Sequence, residues 1–145
     1  MAVGSTSGAL TALEAVVVGS VGVTARAVST VAPNLTLVQW RVIVVLAPAP
    51  DGMAVSELAG HLGSRLPAMS RLLGRLRSRG FVQTGKDADD GRVTIARLAP
   101  AGLAIWERVR DGRRDNLRAA LALADVTDDE AGVLDRIAGG LAAFG

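Results

Sequence analysis

The stretch that most constrains this chain is Val55 to Val82, VSELAGHLGSRLPAMSRLLGRLRSRGFV. Val55, Leu58, Ala59 and Leu62 recur at i, i+3, i+4 and i+7, which puts them on one helical face. Gly63 follows at once, where glycine takes a left-handed backbone without steric cost. Met69, Leu72, Leu73 and Leu76 repeat the spacing on a second helix. Pro67 suits the first turn of that helix, because its missing N–H has no helical partner there. Two short helices around a tight turn are therefore predicted. The second carries charge of one sign: Arg65, Arg71, Arg75, Arg77 and Arg79, with no acid between Ser64 and Val82. An apolar stripe for the core and a cationic outer face is what insertion into a DNA major groove requires. An ordinary helical hairpin with a solvated basic face satisfies the same pattern, so the neighbouring segments must decide.

They favour a helix-turn-helix. After Gly80 the hydrophobic period changes. Phe81 and Val82 open an extended segment, and RVTIARL (residues 92–98) is rich in β-branched residues. Between them lies a polar, glycine-bounded turn, GKDADDG, residues 85–91. A β-hairpin directly after the second helix is a wing, and the combination reads as a winged helix. Upstream, Thr36 and Gln39 form a capping-box pattern at the start of an apolar run, Leu37 to Leu46. That run is apolar nearly all round, as expected of a fully buried central helix. Pro48, Pro50, Asp51 and Gly52 make the loop that follows.

The flanks are helical. Residues 1–7 are small and polar and are expected to fray. From about Gly8 to Val31, Leu10, Leu13, Val17, Val21, Thr24 and Val28 keep a three-to-four spacing, which suits a core helix, a dimerisation helix, or both. Pro100 opens a further helix with an interrupted stripe (Leu103, Trp106, Val109, Leu117, Ala120, Leu121, Ala124). Its mixed charges suggest local ion pairs on a solvated face rather than a second DNA site. Thr127 and Glu130 cap a last helix whose apolar face is Val133, Leu134, Ile137, Ala138, Leu141 and Phe144. The expected fold is mainly α: a winged helix-turn-helix with a small β-hairpin wing, flanked by N- and C-terminal dimerisation helices. The divisions are residues 1–35, 36–99 and 100–145. The flanking helices hold more apolar surface than one small winged helix can cover, so a homodimer is expected.

Composition narrows the function. The formal net charge is only +2, so the arginine cluster is a local feature, as a polyanion partner would demand. The chain has no cysteine and one histidine, His61. The lack of cysteine excludes disulfides and thiolate zinc sites, and a single histidine makes a histidine-based metal site or triad implausible. No nucleophile–base pair and no phosphate-cradling glycine loop is present, so neither an enzyme nor a cofactor or metal is expected. The early apolar run is broken by Glu14 and Arg26 and lacks a basic start, so neither a signal peptide nor a membrane-spanning helix is expected.

With these residues placed, the chain resembles the MarR family of bacterial transcription regulators along nearly its whole length. LTLVQWRVIVVLA, VSELAGHLG, LPAMSRLLGRLRSRGFV and above all DADDGRVTIARLAPAG carry the resemblance, with Asp90 and Arg92 in the wing signature. Ala99 departs from the pattern, standing where the family often has a Thr cap. The resemblance implies a cytoplasmic, nucleoid-associated homodimer on a pseudo-palindromic operator. Its N- and C-terminal helices would interlock, and its two recognition helices would enter major grooves roughly 34–36 Å apart. Ser64, Arg65, Pro67, Ala68, Ser70 and Arg71 map to the exposed start of the recognition helix, facing base edges. Arg65 or Arg71 is the candidate for a bidentate contact to guanine. Arg75, Arg77 and Arg79 lie farther along, for phosphate contacts or structural ion pairs. Lys86 joins the DNA-binding set from the wing. Arg92 matches the family's minor-groove arginine, and Asp90 would orient the wing by pairing with a recognition-helix arginine. A lipophilic or phenolic ligand is implied between the dimerisation helices and the winged helix, where Arg26, Trp40, Arg41 and Trp106 are the candidate lining. His61 is read as a surface residue. Two alternatives stay open: a ligand-independent nucleoid-associated protein, and a helical protein–protein interaction module.

Overall fold

In the computed structural model, which describes residues 3–142, the chain runs α1 (Val3–Val31), α2 (Leu37–Leu46), β1 (Met53–Ala54), α3 (Val55–His61), α4 (Leu66–Ser78), β2 (Val82–Lys86), β3 (Thr94–Leu98), α5 (Pro100–Leu123) and α6 (Asp128–Ala142). Residues 1–112 and 113–145 form two compact units. The first holds the winged helix. The mainly helical fold with its small wing agrees with the expectation from sequence.

Capping starts α2 where the sequence places it. Thr36 Oγ1 accepts the Gln39 N–H at 3.2 Å, and Gln39 Oε1 accepts the Thr36 N–H at 3.0 Å. Two otherwise orphaned N–H groups are satisfied reciprocally. The helix is not buried all round, however. Trp40, Val42, Ile43 and Leu46 face the core, while Leu37, Val38, Arg41 and Val44 are exposed. An amphipathic assignment fails here because the outer face is also built from leucine and valine, and hydrophobicity alone cannot rank two apolar faces.

Around α2 the core gathers Val28, Val42, Ile43, Leu46, Leu58, Met69, Leu76, Val82 and Val109, all essentially inaccessible to solvent. Each such side chain contributes roughly 1.5–3 kcal/mol by leaving water. The stripes read from sequence on α3 and α4 thus turn inward: Val55, Leu58 and Ala59 from one, Met69, Leu73 and Leu76 from the other. Gly63 sits between them at φ 58°, the left-handed conformation that the turn needs. The turn closes with the Ser64 N–H on Ala59 O at 2.8 Å. Pro67 lies in the first turn of α4.

The sheet has three antiparallel strands in the order β1-β3-β2. The wing strands pair from Val82↔Leu98 to Lys86↔Thr94. The third strand, β1, pairs Met53 with Ala96 and Ala54 with Ile95. It escapes the sequence because two residues cannot display an alternation.

Helix α1 begins at Val3 rather than near Gly8. Its end is tied in by Ala27 and Val28, which are buried, while Leu10, Val16, Val17, Val18 and Val21 are exposed. Ser7–Val31 is long and apolar enough to cross a membrane by length and composition, with a hydropathy of 1.6. That criterion is met despite the charges of Glu14 and Arg26.

In the second unit, residues 113–123 of α5 and α6 expose Leu117, Leu121, Val133, Leu134 and Leu141. Arg118 pairs with Asp115 at 2.8 Å on the solvated side. The cap of α6 differs in detail from the expected box. The Glu130 carboxylate accepts both the Thr127 N–H (2.8 Å) and the Thr127 hydroxyl (3.0 Å). These bonds hold its pKa below the ordinary value. Phe144 lies outside the described residues.

The start of α5 is fixed by a close backbone approach. Ala99 N–H donates to Phe81 O at 3.0 Å. A Cβ on Gly102 would overlap that same carbonyl. Glycine is required here for space, not for dihedral freedom. Gly102→Ala is expected to destabilise the protein by roughly 3 kcal/mol in urea unfolding. Gly74→Ala, in the interior of α4 with open space around its would-be Cβ, should instead be neutral or stabilising by up to about 1 kcal/mol. Equal effects at the two positions would contradict this packing.

Candidate nucleic-acid interface

Burying Met69, Leu73 and Leu76 turns the opposite side of α4 to solvent. Arg65, Pro67, Ala68, Ser70, Arg71, Arg75 and Arg77 are exposed, and Ser64 is half-buried. The sequence-predicted residues on and before α4 therefore share one continuous surface. Among the described residues, no hydrogen bond or ion pair engages the side chains of Arg65, Arg71 or Arg75. Acids are absent from the whole helix. The result is a convex, uncompensated cationic ridge with short side chains at its leading end, where a backbone can come close to a partner.

The wing stands beside this ridge. Arg77 Nη1 donates to Thr84 Oγ1 at 3.1 Å, bracing the last turn of α4 against β2. Between helix and wing lies a cleft of about 340 Å³, lined by Leu66, Ser70, Leu73, Arg77, Thr84 and Arg92 among others. Arg92, which the sequence assigns to the wing, is thus brought into one concavity with Arg77 and Ser70. Lys86 Nζ donates to Thr94 Oγ1 at 3.4 Å across the hairpin and remains exposed.

The wing turn is built by carboxylates bonded to backbone. Asp87 Oδ1 accepts the N–H groups of Asp89 and Asp90, each at 2.9 Å. Asp90 Oδ1 accepts the Arg92 N–H at 2.9 Å, and Asp90 O accepts the Val93 N–H at 2.9 Å. The expected pairing of Asp90 with a recognition-helix arginine is therefore replaced by a bond within its own turn, two residues on. This local reach is the usual habit of a short carboxylate side chain. Asp87 carries the turn equally and was not singled out from sequence. The D-A-D-D run contains the signal, because an aspartate two residues before another turn residue is placed to accept its N–H.

Arg79 does not join the exposed ridge. Its guanidinium reaches Asn34 O at 2.9 Å and Gln39 Oε1 at 3.5 Å, and lies 4.7 Å from the centroid of the Phe81 ring.

The four residues proposed from sequence to line a ligand site are not drawn together by either described cleft. Trp40 is buried in the core. Trp106 is half-buried and carries the Arg110 guanidinium 4.8 Å over its ring. Arg26 and Arg41 are exposed. The second cleft, about 280 Å³, is lined by Leu46, Pro50, Leu98, Pro100, Leu103 and neighbouring alanines. His61 is exposed on α3, 3.8 Å from Glu57 one turn away.

A two-helix unit with a basic outer helix, followed by a two-stranded wing that β1 extends into a three-stranded sheet, defines a winged helix-turn-helix. Residues 34–93 match the model of the MarR family. The chain is 29% identical over 82 residues to the HTH-type transcriptional repressor IacR of Pseudomonas putida. That alignment takes in 57% of this chain and spans about half (48%) of the relative's length. Among solved structures, RV1404 from Mycobacterium tuberculosis superposes with a TM-score of 0.79 at 23% identity, covering 94% of this chain and 91% of that one. A mutant of Staphylococcus aureus MepR bound to an oligodeoxyribonucleotide superposes with a TM-score of 0.66 at 17% identity, over 92% of this chain and 95% of that one. At these identities the two structures establish the shared fold.

The Asp87 bonds have a pH signature. They hold its carboxyl below the ordinary value of 3.8, with the Asp90 N–H the larger cause and the Asp89 N–H the next. A folded-state pKa below the unfolded one means that the stabilisation is present above the ordinary value. It is lost as pH falls through the lower, folded one. An NMR titration following the Asp89 and Asp90 amides should therefore give a midpoint below 3.8. A midpoint at or above that value would show that these bonds do not hold the turn.

Proposed function

We propose that this protein is a sequence-specific double-stranded DNA-binding transcriptional regulator. In this reading it acts as a repressor in the bacterial cytoplasm and binds a pseudo-palindromic operator as a homodimer. The observation that carries the proposal is the basic face of α4. Its arginines are exposed, uncompensated by acid, and mounted on a helix whose other side is locked into the core. A helix of this width fits the major groove, where arginine reads guanine through a bidentate contact. Ser64, Arg65, Pro67, Ala68, Ser70 and Arg71 take the base edges, and Arg75 and Arg77 the phosphates. Lys86 and Arg92 extend the contact from the wing into the adjoining minor groove. The repressor named among the relatives and the oligonucleotide-bound structure among the neighbours support the same reading.

The homodimer rests on exposed apolar surface. Leu10, Val16, Val17, Val18 and Val21 of α1 form one such surface in the first unit. Leu117, Leu121, Val133, Leu134 and Leu141 form another in the second. Exposed apolar side chains in this number call for a partner, and a second copy supplies it with the two-fold symmetry that a palindrome matches. Release by a small lipophilic or phenolic anion completes the proposal. The cleft between α4 and the wing sets Arg77 and Arg92 beside an apolar wall, so an anion there would occupy the cations that DNA needs.

Fluorescence anisotropy on DNA upstream of the gene, against scrambled duplex at two salt concentrations, tests the core of this reading. Wild type should prefer its own site by roughly a hundredfold or more. Arg71→Ala and Arg92→Ala should each lose about 1–3 kcal/mol of that discrimination. Equal binding to both duplexes, with no effect of either substitution, would refute regulation through these residues at that site.

A further inference from the structure

We infer that Arg79 is a positioning residue that bolts the recognition helix to the junction between α1 and α2, and makes no phosphate contact. The inference rests on the DNA-binding reading above and assigns within it one arginine that charge patterning alone would give to DNA. Arg79 is the C-cap residue of α4. Its Nη1 donates to Asn34 O, 45 residues earlier, at 2.9 Å, and approaches Gln39 Oε1 at 3.5 Å. The same guanidinium lies over Phe81 at 4.7 Å. Gln39 is itself buried, and its Oε1 also holds the Thr36 N–H of the α2 cap. One side chain thus touches the link that leaves α1, the first turn of α2 and the chain entering β2. Arg65, Arg71 and Arg75, by contrast, project into solvent.

The chemistry suits arginine specifically. A planar guanidinium donates in its plane to a carbonyl while stacking its face on an aromatic ring. A lysine ammonium keeps the charge but cannot do both. The mechanical consequence follows from helix length. Helix α4 has 13 residues, about 20 Å at 1.5 Å per residue. A tilt of roughly 3° at the bolted end therefore moves the reading end by about 1 Å over that length. Base-edge hydrogen bonds do not tolerate such shifts well, whereas phosphate attraction does. Asn34 lies in the short link between α1 and α2, three residues beyond the end of α1, so the recognition helix is tied to the segment that joins those two helices.

The test uses full-length protein with a duplex selected for tight binding from random DNA, and a scrambled duplex, each titrated over a series of salt concentrations. Arg79→Met, Arg79→Lys and Arg75→Ala are compared with wild type. Amide exchange of residues 35–39 is followed without DNA. For a bolt, both Arg79 variants lose roughly tenfold or more in the specific-to-scrambled ratio, the scale of a charged hydrogen bond. Their salt slope equals that of wild type, and exchange at residues 35–39 accelerates. Arg75→Ala lowers the slope by about 0.9, the value for one phosphate. The inference is overturned if Arg79→Met lowers the slope by that amount, if Arg79→Lys behaves as wild type, or if exchange is unchanged. If Arg79→Met fails to fold, Arg79→Lys alone decides, because it keeps the charge and removes the geometry. If wild type binds no duplex, the DNA-binding reading fails. The exchange comparison still reports on the bolt: unchanged rates refute it and faster rates uphold it.

Discussion

The packing of α4 against α3 and α2 is the constraint on which the rest depends. Met69, Leu73 and Leu76 are drawn into the same core as Leu58, Ile43 and Leu46. Once that stripe is buried, the 3.6-residue period leaves Arg71 and Arg75 no choice but solvent. The ridge is a by-product of hydrophobic burial, with no energy spent on holding like charges together beyond their mutual repulsion. Screening by salt limits that repulsion at the surface, and a polyanion would remove it. The wing depends on the same packing. Its first strand starts from buried Val82, and the Arg77–Thr84 bond fixes its position relative to the helix.

The sequence made this arrangement legible wherever one residue type had one reason to be where it is. The leucine spacing of α3 and α4, Gly63 in its left-handed turn, the Thr36–Gln39 box and the glycine-bounded hairpin all appear where the pattern puts them. It fell short where two explanations share a signature. Leucines and valines on both faces of α2 read as full burial, although Leu37, Val38 and Val44 are exposed. The glycine of the α5 start could be noted only as a pattern, because its reason is the Phe81 carbonyl, a contact made across the fold. From sequence Arg75, Arg77 and Arg79 share one reading, phosphate contacts or structural ion pairs. Only the folded protein separates Arg79, turned inward to Asn34, and Arg77, bonded to Thr84, from Arg75, which projects outward. Trp40, a candidate ligand-site residue from sequence, is instead packed into the core.

Cations without neighbouring acids line the outer face of α4, whereas the arginines of α5 alternate with acids. Exposed leucine and valine lie mostly on α1, α5 and α6, with others on α2. Each kind of surface asks for a different partner: a polyanion for one, another apolar face for the other. The proposed homodimer on palindromic DNA would meet both demands with one chain, and Arg79 would link α4 to the segment between α1 and α2. Asp87 and Asp90 belong to neither surface. They fold the wing tip by bonding backbone and keep their negative charge within the turn.

The most direct test of the central claim is a hydroxyl-radical footprint of wild-type protein on its selected duplex. Two recognition helices in successive major grooves predict protections that repeat at roughly 10–10.5 base pairs on one side of the duplex, with minor-groove protection beside them from the wings. A single protected patch, or protection without that period, would contradict a two-fold assembly that reads DNA through α4.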